Sequence, residues 1–466
     1  MRLSLDRIAA ATGAVGELPE PSPEVVGVCT DSRMVEPGQL FVCLPGSRFD
    51  GHYFAADAAA KGAAAILSQM PLPDVTDTPV LFVTDTVAAL GKLAAAWRAQ
   101  TRAKVTAVTG SAGKTTLKEM LAQVLSRHMD VAKNYKNFNN QIGLPLTILA
   151  ATGEEGAWVL ELGISKPGDM AELAPVARPD VAVIHNVGPA HLEGLGDLAG
   201  VARAKAELLG SLKAGGTAIV SRDYPELLAA AGEYDVRLTT ISALDESADF
   251  SCFFLGPSQD GEGGLFRFTR RGGETVEAEL PYLGSHLAEN MAAVAAAADA
   301  HGLSLDENVA GLAEPVCVEQ RFQRRRLGDF EIIDDSYNAN PLSVAVAVDC
   351  AASLAGGRGC PLVLVLGDML ELGGGEEAAH EELGRRLAEC SGQAVIYRGG
   401  QAEAVRRGLA GAKTLAEVET GEDFLRAWRD LGIEGGVVLF KGSRSCRMEE
   451  LHQALCRELA RREDET

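Results

Sequence analysis

The feature that most constrains this chain is a strand-like run that ends in glycines and leads into a helix-like run. Residues 105–116 read VTAVTGSAGKTT, and the segment LKEMLAQVLSRH that follows has helical spacing. Glycines let the backbone approach phosphate oxygens closely, and a helix N-terminus attracts anions. The pattern therefore predicts a phosphate-binding loop within a parallel α/β domain.

The predicted loop contains the residue types that nucleotide phosphates require. Its members are Gly110, Ser111, Ala112, Gly113, Lys114, Thr115 and Thr116. We expect Lys114 to contact the outer phosphates of ATP and the Thr115 hydroxyl to bind Mg²⁺. The strict pattern GxxxxGK[ST] requires glycine where Val108 stands, so this loop is a variant. The alternative interpretation is a glycine-rich turn with a solvated lysine.

Length and composition favour a multidomain α/β protein. The chain has 466 residues, whereas single cores stop growing at about 250–300 residues. A net charge of −22 predicts a surface that repels nucleic acid and anionic membranes. The nine cysteines include no CxxC pair, so we expect neither a disulfide framework nor a zinc site. With no signal-peptide pattern and no membrane-length apolar run, a cytoplasmic location is expected.

Changes of pattern along the chain predict three α/β domains. Residues 1–84 alternate short apolar runs with turns. Residues 85–314 contain the strand candidates KVTAVTG, AWVLELG, VAVIHNVG and TAIVSRD, separated by helix-length segments as parallel strands require. Three further strand candidates between residues 249 and 283 have no helices between them, which indicates an antiparallel addition to the same domain. Residues 315–466 form a third unit with strands such as FEIIDD and GVVLFKGS.

Three polar residues of the central domain are candidates for binding a metal. Glu161 ends the apolar run AWVLE, and ligands gather at the carboxyl ends of parallel strands. His191 lies in the loop NVGPAHLEGLG, and Lys205 lies in the helical pattern VARAKAELL. Taken alone, these could equally be a surface glutamate, a solvated histidine and an exposed helix lysine.

A series of motifs in one order resembles the Mur ligases, which build the peptidoglycan stem peptide. The motifs are TGSAGKTT, KNFNNQIGLPLTIL, ELGIS, AHLEGLG, AKAELL, GSHLAEN, IIDDSYNANP, LGDMLELG and KGSRS. The N-terminal strings TDSR and PGQLFVCLPGSRFDGH extend the resemblance over nearly the whole chain. Within the family, KNFNNQIGLPLT, DDSYNANP and LGDMLELG resemble the member that adds a dipeptide.

The resemblance implies a fold and an activity. It implies a first domain that holds a UDP-linked precursor, a central ATPase domain, and a Rossmann-like third domain that closes over ATP. It also implies that ATP drives the ligation of D-alanyl-D-alanine to UDP-N-acetylmuramoyl-tripeptide through an acyl phosphate, with Mg²⁺ required. We expect a monomer that binds no nucleic acid and does not insert into membranes.

Two alternatives to this function stay open. One is another ligase of the same fold, either the tripeptide-forming member or a folate-polyglutamate type. The other is a nucleotide-dependent switch without ligase chemistry, which would need no amino-acid acceptor and would leave Glu161, His191 and Lys205 without roles.

For catalysis, the resemblance implies roles for residues on both sides of the phosphate. Lys114 is expected at the phosphates, while Glu161 and His191 support the metals together with Thr115. Lys205 matches a lysine that is carbamylated in several Mur ligases, where the added carboxylate can hold a second Mg²⁺. Arg321 matches an arginine that approaches the γ-phosphate from the third domain.

The resemblance also implies contacts with ATP and with the UDP-linked substrate. Asn290 is expected near adenine. The residues expected near the ribose and the substrate are Asp335, Tyr337 and Asn338. The further candidates for the substrate are Asp31, Ser32, Arg33, Asp50, Gly51, His52, Asn137, Asn139 and Asn140. For each of those in the first domain, ordinary turn chemistry is the alternative.

Three positions depart from the pattern usual in the family. Lys136 and Gln320 stand where glycines often precede Asn137 and Arg321. Leu287 stands where an asparagine often follows the histidine of GSHLAEN.

Overall fold

The computed structural model describes residues 1–46, 48–259, 261–390, 392 and 394–464. Across these residues, three α/β sheets follow one another along the chain, together with a short two-stranded pair. Within the same described ranges, no helix combines the length and the apolar character needed to cross a membrane.

The first sheet is small, parallel and packed against the central domain. The strands of this region are β1 (Leu3–Ser4), β2 (Glu24–Val25), β3 (Val28–Cys29), β4 (Leu40–Val42), β5 (Ala65–Ser68) and β6 (Val80–Phe82), and its helices are α1 (Leu5–Thr12) and α2 (Ala55–Ala60). The sheet order is β3-β4-β5-β6, and β1 pairs with β2. Leu40 and Val42 alternate with Phe41, so the two faces of β4 enter different cores.

The central sheet is mostly parallel and carries an antiparallel extension. Its strands are β7 (Lys104–Thr109), β8 (Val131–Lys133), β9 (Ala157–Glu161), β10 (Val181–Ile184), β11 (Thr217–Ser221), β12 (Leu238–Ser242), β13 (Phe250–Pro257), β14 (Gly264–Arg270) and β15 (Glu274–Leu280). The order is β15-β14-β13-β12-β11-β10-β7-β9-β8. Only β13, β14 and β15 pair antiparallel among these described strands, as predicted for residues 249–283.

Helices cover both faces of the central sheet, as a parallel sheet requires. They are α3 (Thr86–Gln100), α4 (Lys114–Ser126), α5 (Gly143–Ala150), α6 (Asp169–Ala177), α7 (Leu192–Leu195), α8 (Leu198–Ala206), α9 (Pro225–Ala231), α10 (His286–Ala300) and α11 (Leu305–Gly311). Val105 and Ala107 of β7 face one core and Val108 faces the other. The small side chains of α10 let it pack against α4 and β13.

The third sheet belongs to the C-terminal domain. Its strands are β16 (Gln323–Leu327), β17 (Phe330–Asp335), β18 (Leu362–Gly367), β19 (Ala394–Arg398), β20 (Leu415–Glu417) and β21 (Gly436–Lys441). The helices are α12 (Pro341–Arg358), α13 (Glu376–Glu389), α14 (Ala402–Leu409), α15 (Gly421–Asp430) and α16 (Met448–Asp464). The order is β16-β17-β21-β18-β19-β20, with β16 antiparallel to its neighbour and the other pairs parallel.

The predicted α/β class is confirmed, but several strands were not among the predicted ones. They include β8, β12 and β16. The first is only three residues long, and the last contains three consecutive arginines in an edge strand paired on one side. Neither carries the continuous apolar run that identified the buried strands.

Candidate active site

The site lies where three neighbouring parallel strands end. Strands β7, β9 and β10 are adjacent, so the loops after them meet at the carboxyl edge of the sheet. A cleft of about 1210 Å³ opens there, between the central domain and the C-terminal domain. Side chains from both domains line it, including Lys114 and Glu161 from one side and Arg321 and Asp335 from the other.

The glycines of the phosphate loop are required by close packing. A Cβ at Gly110 would stand 2.4 Å from the His185 ring, and one at Gly113 would stand 3.1 Å from the Asn290 amide. Gly113 also has φ +74°, in the left-handed region that favours glycine. The loop is therefore held against β10 and α10, with the N-terminus of α4 facing the cleft.

Two lysines meet at one carbonyl oxygen under the loop. The Nζ atoms of Lys114 and Lys205 donate to the Gly110 carbonyl at 2.9 and 3.0 Å. Burial lowers the pKa of Lys114, and the Glu161 carboxylate opposes that change. Burial lowers the pKa of Lys205 well below its usual range, and the charge of Lys114 lowers it further. Burial therefore makes the neutral amine easier to form at Lys205 than at an exposed lysine.

Glu161 is the centre of a group of oxygen atoms. It is 1% exposed, its Oε2 accepts from Thr115 Oγ1 at 2.9 Å, and its Oε1 accepts from Asn139 Nδ2 at 2.7 Å. Arg321 reaches the same point from the C-terminal domain, donating to Thr115 Oγ1 at 3.4 Å.

These oxygens fit Mg²⁺, which prefers oxygen ligands and uses one or two carboxylates together with water. No three His, Cys, Asp or Glu side chains within the described ranges cluster as a metal site. A magnesium ion held by the Thr115 hydroxyl and the Glu161 carboxylate would therefore have few protein ligands, which would leave coordination positions for phosphate oxygens.

His191 connects the two domains across the cleft. Its backbone is left-handed with φ +56°, and its Nδ1 lies 2.5 Å from Glu371 Oε2 of the C-terminal domain. Burial lowers the pKa of His191, while the Glu371 carboxylate opposes that change. In this arrangement the ring therefore pairs with a carboxylate of the opposite wall.

The opposite wall places its own charges at the cleft. The Arg321 guanidinium stacks 4.0 Å from the centre of the Tyr337 ring. Lys441 is 2% exposed, and its Nζ donates to Asp335 Oδ2 at 2.6 Å and to the Asn338 carbonyl at 3.1 Å. Asp335 also accepts from the Phe322 amide at 3.1 Å, which fixes the segment that carries Arg321.

The two departures from glycine have a common geometric consequence. Lys136 has φ +48° and Gln320 has φ +58°, so both residues adopt the left-handed backbone that glycine adopts without strain. The chain therefore keeps the turns before Asn137 and Arg321, although a residue with a side chain adds backbone strain in that conformation.

Most of the predicted site residues line one cleft. Those that do are Ser111, Ala112, Gly113, Lys114, Thr115, Thr116, Asn139, Asn140, Glu161, His191, Asn290, Arg321, Asp335, Tyr337 and Asn338. Gly110 begins the phosphate loop, Lys205 lies beneath it, and Asn137 contacts Tyr337 by a side-chain hydrogen bond. The candidates in the first domain are not among the lining residues.

In the first domain, the predicted residues bond mainly to one another. Arg33 donates to both oxygens of Asp31, and this contact lowers the pKa of Asp31 to about 2. His52 Nδ1 lies 2.5 Å from Asp50, and its Nε2 accepts from the Gln69 amide at 3.2 Å. Both ring nitrogens of His52 are thus occupied by protein partners. The Ser32 carbonyl accepts from a lysine side chain at 2.8 Å.

Sequence reasoning missed several residues that build the site. Asn186 Oδ1 accepts from the amides of Ser111 and Ala112 at 2.8 and 3.0 Å, so it holds the start of the loop. His185 packs on Gly110, and Lys441 bonds Asp335. Each of these three residues ends a buried strand or lies within two residues after one, which is close to the signal that identified Glu161.

Family models match three successive parts of the chain. The model for the Mur ligase family, catalytic domain, matches residues 24–98; the Mur ligase middle domain matches 108–298; and the Mur ligase, glutamate ligase domain, matches 320–444. The chain is also 38% identical to the UDP-N-acetylmuramoyl-tripeptide–D-alanyl-D-alanine ligase of Escherichia coli (strain K12). That match spans 444 residues, 94% of this chain and 96% of the relative. The chain belongs to the Mur ligase family.

Solved structures extend the likeness to the whole fold of this Mur ligase. It superposes on a crystal structure of MurF from Acinetobacter baumannii with a TM-score of 0.88 at 32% identity, covering 98% of this chain and 99% of that one. It superposes on MurF from Thermotoga maritima, crystallised in complex with ADP, with a TM-score of 0.82 at 31% identity, covering 94% and 98%. The three-domain Mur ligase fold that the motifs implied is therefore confirmed.

Proposed function

We propose that this Mur ligase joins D-alanyl-D-alanine to UDP-N-acetylmuramoyl-tripeptide, converting ATP to ADP and phosphate through an acyl phosphate. The observation that carries this proposal is the end-to-end likeness to the Escherichia coli enzyme of that name, 38% identical over 94% of this chain. The cleft supports it, because cations from two domains meet at the phosphate loop. ATP is the proposed co-substrate, as the ADP complex of the Thermotoga maritima relative supports.

Charge neutralisation explains the residue types in the cleft. Transfer of a phosphoryl group to a carboxylate brings several negative charges together, so Lys114 and Arg321 would stabilise the oxygens on which charge grows. Mg²⁺ held by Thr115 and Glu161 would add to this stabilisation as a Lewis acid. Because Arg321 comes from the C-terminal domain, this arrangement depends on domain closure, which also excludes water from the acyl phosphate.

We propose that Lys205 becomes carbamylated and then, with His191, supports a second Mg²⁺. A neutral amine forms a nitrogen–carbon bond with CO₂ and loses a proton, which leaves a carboxylate on the lysine. The low pKa of Lys205, caused by burial beside Lys114, supplies that neutral amine. With ¹³C-bicarbonate we expect a carbamate carbon signal that is absent in Lys205→Ala. No signal in the wild-type protein would contradict carbamylation.

The remaining predicted residues would bind the nucleotide and the UDP-linked substrate. We propose that Asn290 lies near adenine, with Asp335, Tyr337 and Asn338 near the ribose and the peptide. Asn137, Asn139 and Asn140 would face the peptide. The UDP end would bind the first domain near residues 31–33 and 50–52. We place the domain boundaries at 1–84, 85–314 and 315–466, and propose a monomer.

The test is phosphate release by the purified protein with Mg-ATP and UDP-muramoyl-tripeptide. We expect release only when an acceptor is added, and faster release with D-alanyl-D-alanine than with other amino-acid acceptors. Preference for a different acceptor would assign the protein to another ligase of this fold. Release that needs no acceptor would instead favour the nucleotide-dependent switch.

A further inference from the structure

A fully buried lysine lies one helical turn after the phosphate-loop lysine. Lys118, on α4, is 0% exposed. Its Nζ donates to the carbonyls of Asn134 at 2.9 Å and Lys136 at 3.3 Å, and pairs with Glu119 at 3.0 Å. A buried cation is costly unless oxygen atoms satisfy it, and here the loop after β8 supplies two of them. Lys118 therefore ties that loop to the phosphate-loop helix.

The anchored loop holds the backbone of Glu161. The Glu161 amide donates to Asn134 Oδ1 at 2.6 Å, and Asn134 Nδ2 donates back to the Glu161 carbonyl at 3.2 Å. The same Nδ2 donates to the Phe138 carbonyl at 2.5 Å, which closes the loop on itself. One buried asparagine thus fixes the peptide groups on both sides of the carboxylate.

The far end of the loop holds the side chain of Glu161. Asn139 Nδ2 donates to Glu161 Oε1 at 2.7 Å, opposite the bond from Thr115 to Oε2. A Cβ at Gly163 would stand 2.8 Å from the Asn139 amide, so glycine is required there for Asn139 to reach the carboxylate. Backbone and side chain of Glu161 are both set by residues 134–139.

We propose that Lys118 and Asn134 are positioning residues that hold Glu161 at the distance from Thr115 that magnesium binding needs. Helix α4 carries Thr115 in its first turn and Lys118 one turn later, so a single rigid element sets the place of both magnesium ligands. This inference rests on the proposed function only in taking a magnesium-bound nucleotide as the ligand. It does not depend on which acceptor the enzyme uses.

The test is ADP binding measured by calorimetry at increasing Mg²⁺ concentration. In Lys118→Met, which keeps the stem but removes the cation, we expect the Mg²⁺ concentration for half-maximal ADP binding to rise about tenfold or more, as for other partners of metal ligands. Metal-free ADP affinity should change less than about twofold, because the phosphate loop itself is untouched. Asn134→Ala should shift the Mg²⁺ requirement in the same direction.

The matched control is Arg98→Met, which removes another buried cation. Arg98 is 2% exposed, donates to the Ala177 carbonyl at 3.2 Å and pairs with Asp180 at 2.8 Å, away from the cleft. We expect this variant to lower the melting temperature without changing the Mg²⁺ requirement.

An unchanged Mg²⁺ requirement in folded Lys118→Met would overturn the proposal. If that variant does not fold, Asn134→Ala decides in its place, and a wild-type Mg²⁺ requirement there would equally overturn it. Failure of the proposed function would look different. In that case phosphate release would not depend on D-alanyl-D-alanine, while Mg²⁺-dependent ADP binding would be unchanged.

Discussion

The charged groups inside the central-domain wall and the contacts between the two walls are held in different ways. On the central-domain wall, three charged residues are at most 2% exposed: Lys118, Glu161 and Lys205. The two lysines donate to backbone carbonyls, and the backbone amide of Glu161 donates to a buried asparagine. On the C-terminal side, the contacts that join the domains include Glu262 with Arg324, whose side chains are 57% and 22% exposed. The charged groups of the central-domain wall are buried and preorganised, whereas the two walls are joined through solvent-accessible ion pairs.

This difference suits an enzyme that must open and close. Buried hydrogen-bonded groups keep their geometry when the domains separate, because they depend on no contact across the cleft. Exposed ion pairs contribute only about 0–1 kcal/mol each, so they join the domains without locking them. In the proposed reaction, Thr115 and Glu161 would keep their positions while the domains move, and Arg321 would arrive on closure.

The largest effect is expected from the buried wall. Lys114→Ala should lower kcat for acceptor-dependent phosphate release by roughly 10³-fold, since it removes a preorganised cation at the transferring phosphate. Stopped-flow or steady-state phosphate release measures this. The control is Lys92→Ala, which should keep the wild-type rate. Lys92 lies on helix α3 and does not line the cleft. A normal rate in Lys114→Ala would remove this lysine from the mechanism.

A smaller loss is expected from the cation that crosses the cleft. Arg321→Ala should lower kcat by roughly 10- to 100-fold with little change in ADP affinity, because the guanidinium reaches the site only when the domains meet. Arg426→Ala is the control, because Arg426 lies on α15 of the same domain and does not line the cleft. If Arg321→Ala instead weakened ADP binding and spared kcat, the arginine would belong to the resting site, and the contrast between the walls would fail.

The sequence predicted the parts of the site that local pattern determines. The phosphate loop follows from a strand, glycines, a lysine and a helix within 12 residues, and Glu161 follows from its place at the end of an apolar run. Arg321 came from family resemblance alone, and Gln320 before it departs from the usual glycine. Gln320 has a left-handed φ of +58°, so the turn before Arg321 is kept without glycine. Composition and periodicity do not reveal this.

The rest of the site depends on contacts between distant segments. Lys118 bonds a carbonyl 16 residues away, Asn186 bonds amides 74 and 75 residues away, and Lys441 bonds Asp335 across 106 residues. In sequence, each looks like an ordinary helix lysine or the end of a strand. Only the sheet order brings them together, so one sequence without its fold does not identify them.

A stability measurement tests a buried carboxyl group in the central-domain wall. Glu289, on α10, accepts from Asn186 Nδ2 at 3.4 Å and from the Tyr224 hydroxyl at 3.3 Å. Burial raises its pKa from 4.5 to about 8. The folded protein therefore keeps a proton that the unfolded chain loses near pH 4.5, so this group costs increasing stability as pH rises from about 4.5 to 8.

Glu289→Gln imitates the protonated acid and should escape that cost. We expect the variant and the wild type to be equally stable near pH 4.5, and the variant to be more stable by roughly 4 kcal/mol at pH 8, measured by denaturant unfolding. The difference should not grow above pH 8. A difference that stays constant from pH 5 to 8 would show that Glu289 does not hold its proton in the folded state.

The smallest effect is expected at the exposed contact between the domains. Glu262, in the turn before β14, pairs with Arg358 at 2.7 Å and Arg324 at 2.9 Å, and Glu331 bridges the same two arginines from β17. Because Glu262 is mostly exposed, Glu262→Gln should raise the KM for ATP by less than about fivefold. Added salt should affect the wild type more than the variant, since salt screens the pair that the variant lacks.

The control for Glu262 is Glu277→Gln, which breaks a pair of the same kind inside the antiparallel extension. Glu277 bonds Arg267 at 2.7 Å, and both residues belong to the central domain. It should change neither the KM for ATP nor its salt dependence, because no contact across the cleft is lost. A loss of 100-fold or more in Glu262→Gln alone would mean that closure depends on this one ion pair. The contact between the walls would then be as strictly held as the groups inside the central-domain wall, and opening would require breaking one specific ion pair rather than several weak contacts.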